Sequence, residues 1–141
     1  MILTTMSHAT EFEYRAAERN ETVEITQKAA ELLAIQMQIK IFHWSAKKYG
    51  KHKALDDLYT KFGVHLDTFV EQFMGLHEVT LQDFEVAIDF KTDPERVHGF
   101  LHDAILKVHS YMDVDTDTAL VPAIQDIEQD LEQSKYLYRL E

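Results

Sequence analysis

Long stretches of this chain carry apolar residues at every third or fourth position, and little interrupts them. The chain has only four Gly and two Pro among its 141 residues, and these residue types most often break helices and form turns. Apolar spacing of three and four places side chains on one face of an α-helix, whereas half-buried strands need strict alternation. The sequence therefore predicts an all-α protein built from long amphipathic helices.

Four helices are predicted from this periodicity and from signals at helix ends. They begin near Asn20 or Thr22, near Lys51, at Thr92 or Asp93, and after the acidic turn at 113–118, and they end near 47–50, Met74, Met112 and Tyr138. Pro122 is expected in or just after the first turn of the fourth helix, because a start as early as Asp117 would let it kink the helix. Gly75 is the predicted stop of the second helix, and Pro94 lies in the first turn of the third, where proline is favoured. Residues 1–20 are predicted to be an N-terminal tail, in which a short helix could carry Phe12 and Tyr14, and residues 21–141 a single domain.

The connection between the second and third predicted helices, residues 75–92, has mixed periodicity. We predict a long crossover that contains a short helix, with a short strand near Glu85–Phe90 as the alternative. The other connections are short, so neighbouring helices should pair as hairpins. Four amphipathic helices with one long connection form a four-helix bundle of the one-crossover kind.

The chain is strongly acidic and has no cysteine. Its 25 Asp and Glu exceed its 14 Lys and Arg, for a net charge of −11, which disfavours nucleic-acid binding and favours attraction of cations. The absence of cysteine excludes disulfides and thiolate metal sites. The first residues lack the features of a signal peptide, and no apolar run reaches the ~18 residues of a membrane span. We expect a cytoplasmic protein with no nucleic-acid or membrane partner.

One face of the second predicted helix collects one imidazole and three carboxylates. At about 100° per residue these four side chains lie within an arc of roughly 100°, and they are His52, Asp56, Asp67 and Glu71. The ordinary interpretation is the solvated side of an amphipathic helix. His52 and Glu71 are 19 residues apart, roughly 28 Å at 1.5 Å per residue, so they cannot share a site within one chain.

Two copies of this helix could share such a site if they packed antiparallel about a two-fold axis. The His52–Asp56 end of one copy would meet the Asp67–Glu71 end of the other, and the contact would be centred near Gly63. His43 lies across the short turn from His52 and could join it. Each site would then collect two imidazoles and up to three carboxylates, a mixed set suited to iron, manganese or zinc.

The same residues resemble the Dps family of mini-ferritins, which are ferritin-like four-helix bundles. The resemblance rests on His43-Trp44, on His52-x3-Asp56, and on the run His65-Leu66-Asp67-Thr68-x-x-Glu71. It implies an inter-subunit ferroxidase site, with His43, His52 and Asp56 from one subunit and Asp67 and Glu71 from its two-fold partner. It also implies oxidation of Fe(II), typically by hydrogen peroxide, in a homodimer or a larger shell.

Two departures from that family are visible in the sequence. The interval from His43 to His52 is nine residues, which is shorter than is typical of Dps proteins. The N-terminal tail lacks the Lys-rich character with which many Dps proteins bind DNA, so DNA binding is not expected here.

The sequence leaves two alternative functions. The first is an iron-binding, Dps-like protein that oxidises Fe(II) as a ferroxidase, in iron sequestration or oxidative protection. The second is a non-catalytic helical homodimer or interaction protein with a structural metal or none. His98, His102 and His109 share a face of the third predicted helix and form a second candidate metal site, although His beside an apolar stripe is more often a boundary residue of a bundle.

Overall fold

A computed structural model of the protein describes residues 11–113 and 116–140, with side chains described from residue 20 onward. The α-helices are α1 (Glu11–Ser45), α2 (Tyr49–His77), α3 (Val97–His109) and α4 (Val121–Tyr138). A 3-10 turn precedes each of the last two, at Pro94–Arg96 and Thr118–Leu120. Within the described ranges there is no strand, so this part of the chain is all-helical, as predicted.

The first helix begins at Glu11, earlier than the predicted start at Asn20 or Thr22. Residues 11–20 are rich in Ala, Glu and Arg, which favour helix even where no apolar face is present. The second half of the predicted tail is therefore helical backbone, while residues 1–10 lie outside the described residues.

The second helix continues past Gly75 and ends at His77. The prediction of a stop at Gly75 is wrong because the chain turns at Glu78, which adopts the left-handed conformation with φ 55° and ψ 45°. The N–H of Val79 donates to the carbonyl of Met74 at 3.1 Å, and Val79 is only 8% exposed. These are the features of a Schellman ending, in which a buried residue just after the left-handed one fixes the turn.

An aspartate caps the 3-10 turn that precedes each of the last two helices. The carboxylates of Asp93 and Asp117 each accept a hydrogen bond from the backbone N–H two residues on, at 3.0 and 2.9 Å, which satisfies a donor at the start of a helical segment. A 3-10 turn separates Asp117 from α4, so Pro122 is the second residue of that helix and breaks no hydrogen bond. The third helix is shorter than predicted and ends at His109 rather than Met112.

Residues 79–93 form an extended connector that contains neither the short helix nor the short strand considered from the sequence. Two buried polar side chains of α1 hold it. The N–H of Gln82 donates to Thr26 Oγ1 at 3.1 Å, and the Gln38 amide both donates to the carbonyl of Lys91 at 2.8 Å and accepts from its N–H at 2.9 Å. Because α1 satisfies these backbone groups, the connector needs no strand partner there.

Contacts at the helix ends define the helix directions. A short turn makes α1 and α2 antiparallel. Lys51, near the start of α2, donates to the carbonyl of Tyr138 at the end of α4 at 3.0 Å. The Tyr138 hydroxyl donates to the carbonyl of Pro94, just before α3, at 3.2 Å. Helix α4 therefore runs opposite to α2 and α3, and the connector carries the chain back along the length of the helices.

The core lies between the helices, with α1 packed on α2, α2 on α4 and α4 on α3. Its largest fully buried side chains are Ile25, Leu32, Ile39, Phe42, Leu55, Leu58, Phe62, Phe69, Leu101, Leu120, Ile124 and Ile127. Each such side chain contributes about 1.5–3 kcal/mol relative to exposure, so this core is the main source of stability. No described helix is both long and apolar enough to cross a membrane.

Candidate metal centre

His43, at the end of α1, and His52, near the start of α2, bind to each other's backbone across the short turn. Nδ1 of His43 lies 3.0 Å from the carbonyl oxygen of His52, and Nδ1 of His52 lies 3.1 Å from the carbonyl oxygen of His43. The two rings are stacked with centroids 3.9 Å apart. His43 is buried and His52 partly buried. We call this pair the histidine clamp.

The clamp fixes which ring nitrogens carry protons. A carbonyl oxygen can only accept, so each Nδ1 must be the donor. In a neutral imidazole Nε2 then has no proton and presents a lone pair. Metal-binding histidines commonly hold their second ring nitrogen on a backbone carbonyl in this way, which sets the tautomer and the ring orientation. The backbone of the turn therefore leaves the lone pair of each Nε2 as the acceptor of its ring.

Asp56 adds a carboxylate to the clamp. It lies one helical turn after His52 and hence on the same face of α2. Its Oδ1 is 3.8 Å from Nε2 of His43, and its side chain is 47% exposed. Two metal–ligand bonds of about 2.0–2.2 Å can span a nitrogen–oxygen separation of that size. The fold thus brings together the three residues predicted for one half of the site.

The two residues predicted for the other half lie elsewhere on the same helix. Asp67 and Glu71 are exposed on α2, and Asp67 is 11 residues, or roughly 16 Å, beyond Asp56. Neither carboxylate has a hydrogen bond or ion pair within the described part of the chain. Across the described ranges no three His, Asp or Glu side chains converge closely enough to hold a metal ion, and this includes the clamp with Asp56.

Gly63, midway between the two groups, faces α1. A Cβ added at this position would lie 2.7 Å from Nε2 of Gln36. The missing side chain therefore lets Gln36 approach α2 within one chain. A partner helix placed over this position would meet Gln36 as well as the backbone of α2.

Beside the clamp, α1 and α2 share an outer surface that we call the α1–α2 face, formed by Met37, Lys40, Trp44, Tyr59 and Gly63. The ammonium of Lys40 lies 4.6 Å from the ring centroid of Tyr59 and 5.8 Å from that of Trp44, so cation–π contacts join the two helices here. Trp44 is 67% and Met37 43% exposed. This face therefore exposes apolar side chains to solvent next to the clamp.

A second titratable pair, His65 and Asp130, links α2 to α4. Nδ1 of His65 lies 2.5 Å from Oδ2 of Asp130, and the Asp130 side chain is only 9% exposed. Burial raises the pKa of Asp130 above its ordinary value of 3.8, while the hydrogen bond and charge of His65 act in the opposite direction. Sequence reasoning missed this pair because no spacing rule relates residues 65 positions apart. The only signal was an acid on the apolar side of the fourth helix.

The histidines of α3 do not form a joint site. His109 bonds to the carboxylate of Glu128 at 3.0 Å, and Nδ1 of His102 lies 3.4 Å from Nζ of Lys135. Both partners belong to α4, and both histidines are exposed. His98 lines a cavity at the other end of α3. These side chains therefore diverge toward separate partners on the outside of the α3–α4 pair.

Residues 43–138 match the model of a family of unknown function, DUF5856. The chain belongs to that family. No curated protein and no solved structure matches the chain. The stretch that matches the DUF5856 family begins at His43 and runs through α2, α3 and α4, so it contains both the histidine clamp with Asp56 and the exposed pair Asp67 and Glu71.

Proposed function

We propose that this protein is a ferritin-like, Dps-like four-helix bundle that binds Fe(II) at sites shared between two chains and oxidises it. The observation that carries the proposal is the histidine clamp. Two imidazoles with both Nδ1 atoms bound to backbone carbonyls, and a carboxylate 3.8 Å from one Nε2, form an oriented set of ligands that a merely solvated helix face does not need.

The order and direction of the helices support the ferritin-like assignment. Helices α1 and α2 form one antiparallel hairpin and α3 and α4 form another, and one long connector runs between them. Ferritin-like bundles have this one-crossover arrangement.

Assembly about a two-fold axis supplies the missing ligands. The clamp and Asp56 lie at one end of α2, and Asp67 and Glu71 lie nearer the other. Antiparallel pairing of two α2 helices brings each clamp next to the Asp67 and Glu71 of the partner, and the exposed α1–α2 face becomes the contact. Each dimer then holds two equivalent sites, and dimers can assemble further into a shell.

Each group of ligands has its own role in the reaction. Neutral imidazole nitrogens suit ferrous iron, whereas carboxylates stabilise the higher charge of ferric iron. Two Fe(II) ions each give one electron to one hydrogen peroxide molecule, which takes up two protons and leaves as two water molecules. The exposed carboxylates Asp67 and Glu71 attract the incoming cations, helped by the net charge of −11.

The direct test is anaerobic titration with Fe(II), followed by hydrogen peroxide and a spectroscopic measurement of Fe(III). We expect His52→Ala and Asp67→Ala each to abolish fast oxidation. His109→Ala and Asp126→Ala remove the same residue types from exposed positions of α3 and α4, so these controls should retain it. Full activity in His52→Ala and Asp67→Ala would refute the proposal.

Mixing the two inactive variants tests whether the site is shared. A mixed dimer of His52→Ala and Asp67→Ala chains contains one site that carries both changes and one site that carries neither. Random exchange makes half of the dimers mixed, so about a quarter of the wild-type activity should return. A mixture that stays inactive after subunit exchange would place both residues in one chain's site.

The α1–α2 face also favours a second candidate function, a helical homodimer without catalysis. Exposed Trp44 and Met37 suit a packing surface whether or not a metal is bound. Thermal melting with Fe(II), Mn(II) or Zn(II) separates the candidates. A ligand that binds the folded state raises the free energy of unfolding by RT ln(1 + [L]/Kd), so the melting temperature rises with ligand concentration. A packing surface alone gives no such response.

A further inference from the structure

A cavity of about 490 Å³ lies at the end of the molecule where the α1–α2 turn meets the start of α3 and the end of α4. Lys47, Lys48 and Lys51 line it from the turn and from α2, Arg139 from the end of α4, and Glu95 and His98 from the start of α3. It is separate from the histidine clamp, since neither His43 nor His52 lines it.

The charge of this cavity is opposite to that of the chain as a whole. Among the residues that the structure describes, Lys47, Lys51 and Arg139 bring three cations to its wall beside Lys48, against the single carboxylate of Glu95, whereas the chain has 25 acidic and 14 basic residues. Like charges repel, so gathering cations around one cavity costs free energy unless an anion compensates. The concentration of positive charge at one concave place therefore points to an anionic ligand.

One of these cations is held in place. Lys51 Nζ donates to the carbonyl of Tyr138 at 3.0 Å and lies 4.1 Å from the centroid of the Tyr138 ring. An ammonium has three donors, so two remain for a ligand. Lys51 is also partly buried, unlike a lysine that moves freely in solvent. A fixed donor lowers the entropy cost of binding.

The start of α2 adds a further favourable element to the same wall. No acidic residue lies in its first turn, and its N-cap, Lys48, makes no side-chain capping hydrogen bond. The positive end of the helix dipole and the first-turn N–H groups, which have no partner within the helix itself, favour an anion. Natural helices usually place an acid or a capping oxygen here, and neither comes from the first turn or the N-cap side chain of this helix.

We propose that this cavity binds a small phosphate-bearing molecule. Tetrahedral phosphate oxygens accept several hydrogen bonds at once and match clustered Lys and Arg donors. The size of the cavity suits a compact di- or triphosphate. A long nucleic acid fits less well, because its backbone would extend beyond the cavity over a chain whose net charge is −11. This site requires no metal and is independent of the proposed iron chemistry.

The test is calorimetric titration of the metal-free, full-length protein with pyrophosphate at low salt. We expect one pyrophosphate per chain. Lys47→Gln combined with Arg139→Gln removes two cavity cations at exposed positions, and it should weaken binding at least ten-fold. The matched control, Lys53→Gln with Lys61→Gln, removes the same number of charges from α2 outside the cavity wall and should bind as the wild type does. Glu95→Gln should tighten binding.

Inorganic phosphate and ATP titrated in parallel identify the source of the phosphate group. Tighter binding of ATP than of pyrophosphate points to a nucleotide, and equal binding points to an inorganic polyphosphate. Absence of pyrophosphate binding at millimolar concentration and low salt would overturn the proposal. Equal weakening in the cavity variant and the control would also overturn it, because binding would then follow net charge alone.

Discussion

The pair of His65 and Asp130 gives the sharpest prediction about stability. Asp130 is buried, and within the described residues its side chain has one hydrogen-bond partner, the ring of His65, at 2.5 Å. Replacing His65 with Ala leaves this carboxyl group in the interior without that partner. Replacing Asp130 with Asn keeps the shape and a hydrogen-bonding group but removes the charge.

The size of the effect follows from burial. Leaving a buried polar group unpaired costs about 1–3 kcal/mol, and breaking a buried ion pair by removing one partner costs about 3–5 kcal/mol. The His65 side chain is 32% exposed, so water can enter where it is removed and replace part of the bond. We therefore expect His65→Ala to lower the free energy of unfolding by about 2 kcal/mol at pH 7. Asp130→Asn should change it by less than about 1 kcal/mol.

The pH dependence has a definite sign. Because burial raises the pKa of Asp130 above 3.8, the folded state holds this proton to higher pH than the unfolded state does. Between those two pKa values the folded state binds more protons, so the free energy of unfolding falls as pH rises. His65→Ala removes influences that lower the pKa of Asp130, so the fall should extend to higher pH. In Asp130→Asn this contribution should vanish.

The assay is urea unfolding at fixed protein concentration, at pH 4 and pH 7, for the wild type, both single variants and the double variant. We expect the cost of His65→Ala to be larger at pH 7 than at pH 4, and Asp130→Asn to recover part of it in the double variant. An equal cost at both pH values, or additive effects in the double variant, would refute the idea that a buried charge needs His65.

Three further predictions concern the backbone and the α1–α2 contact. Gln38→Ala should lower the free energy of unfolding by about 1–3 kcal/mol, because it removes both hydrogen bonds to Lys91. Hydrogen exchange at the Lys91 amide should accelerate, and unchanged exchange would contradict this role. Glu78→Gly should raise the free energy of unfolding by about 1 kcal/mol, because φ is 55° at this position and glycine adopts the left-handed conformation without steric strain. A lower melting temperature of the variant would count against this prediction. Gly63→Ala should change the free energy of unfolding by less than about 1 kcal/mol, since a gain in helix propensity offsets displacement of the flexible end of Gln36. If a dimer contact passes over Gly63, the folded Gly63→Ala variant should associate more weakly than the wild type. Sedimentation equilibrium measures this association.

The helices could be predicted where one face is apolar, and so could the presence of one long connection, but the conformation of the connector could not. Periodicity located α2 because its buried residues recur at helical spacing. The possible short helix around Phe12 and Tyr14 is instead the first part of α1, which begins at Glu11, because Ala, Glu and Arg favour helix even without an apolar face. The course of the connector depends on Thr26 and Gln38 of α1, and bonds between distant side chains and backbone leave no periodic signal.

The candidate site, too, could be predicted only in part from the sequence. Helical geometry predicted that His52 and Asp56 lie on one face, and the short turn predicted that His43 lies near them. The histidine clamp itself was not predicted, because it depends on the conformation of the turn between the two helices. The nine-residue interval between His43 and His52 is short enough to stack the rings and to let each reach the other's carbonyl. The position of Asp67 and Glu71 relative to a clamp depends on a second chain and stays a prediction.

The anchoring of the connector on α1 also bears on the order of folding. Thr26 and Gln38 are 12 positions apart, roughly 18 Å along the helix, and they hold this spacing only after α1 has formed. The α1–α2 and α3–α4 hairpins consist of contacts between neighbouring segments, which form early. Packing of α2 on α4 closes a longer loop and costs more entropy. We expect the hairpins to form first and the connector to dock along α1 as they join, so weakening the connector should slow folding while leaving the helical content of the native state unchanged.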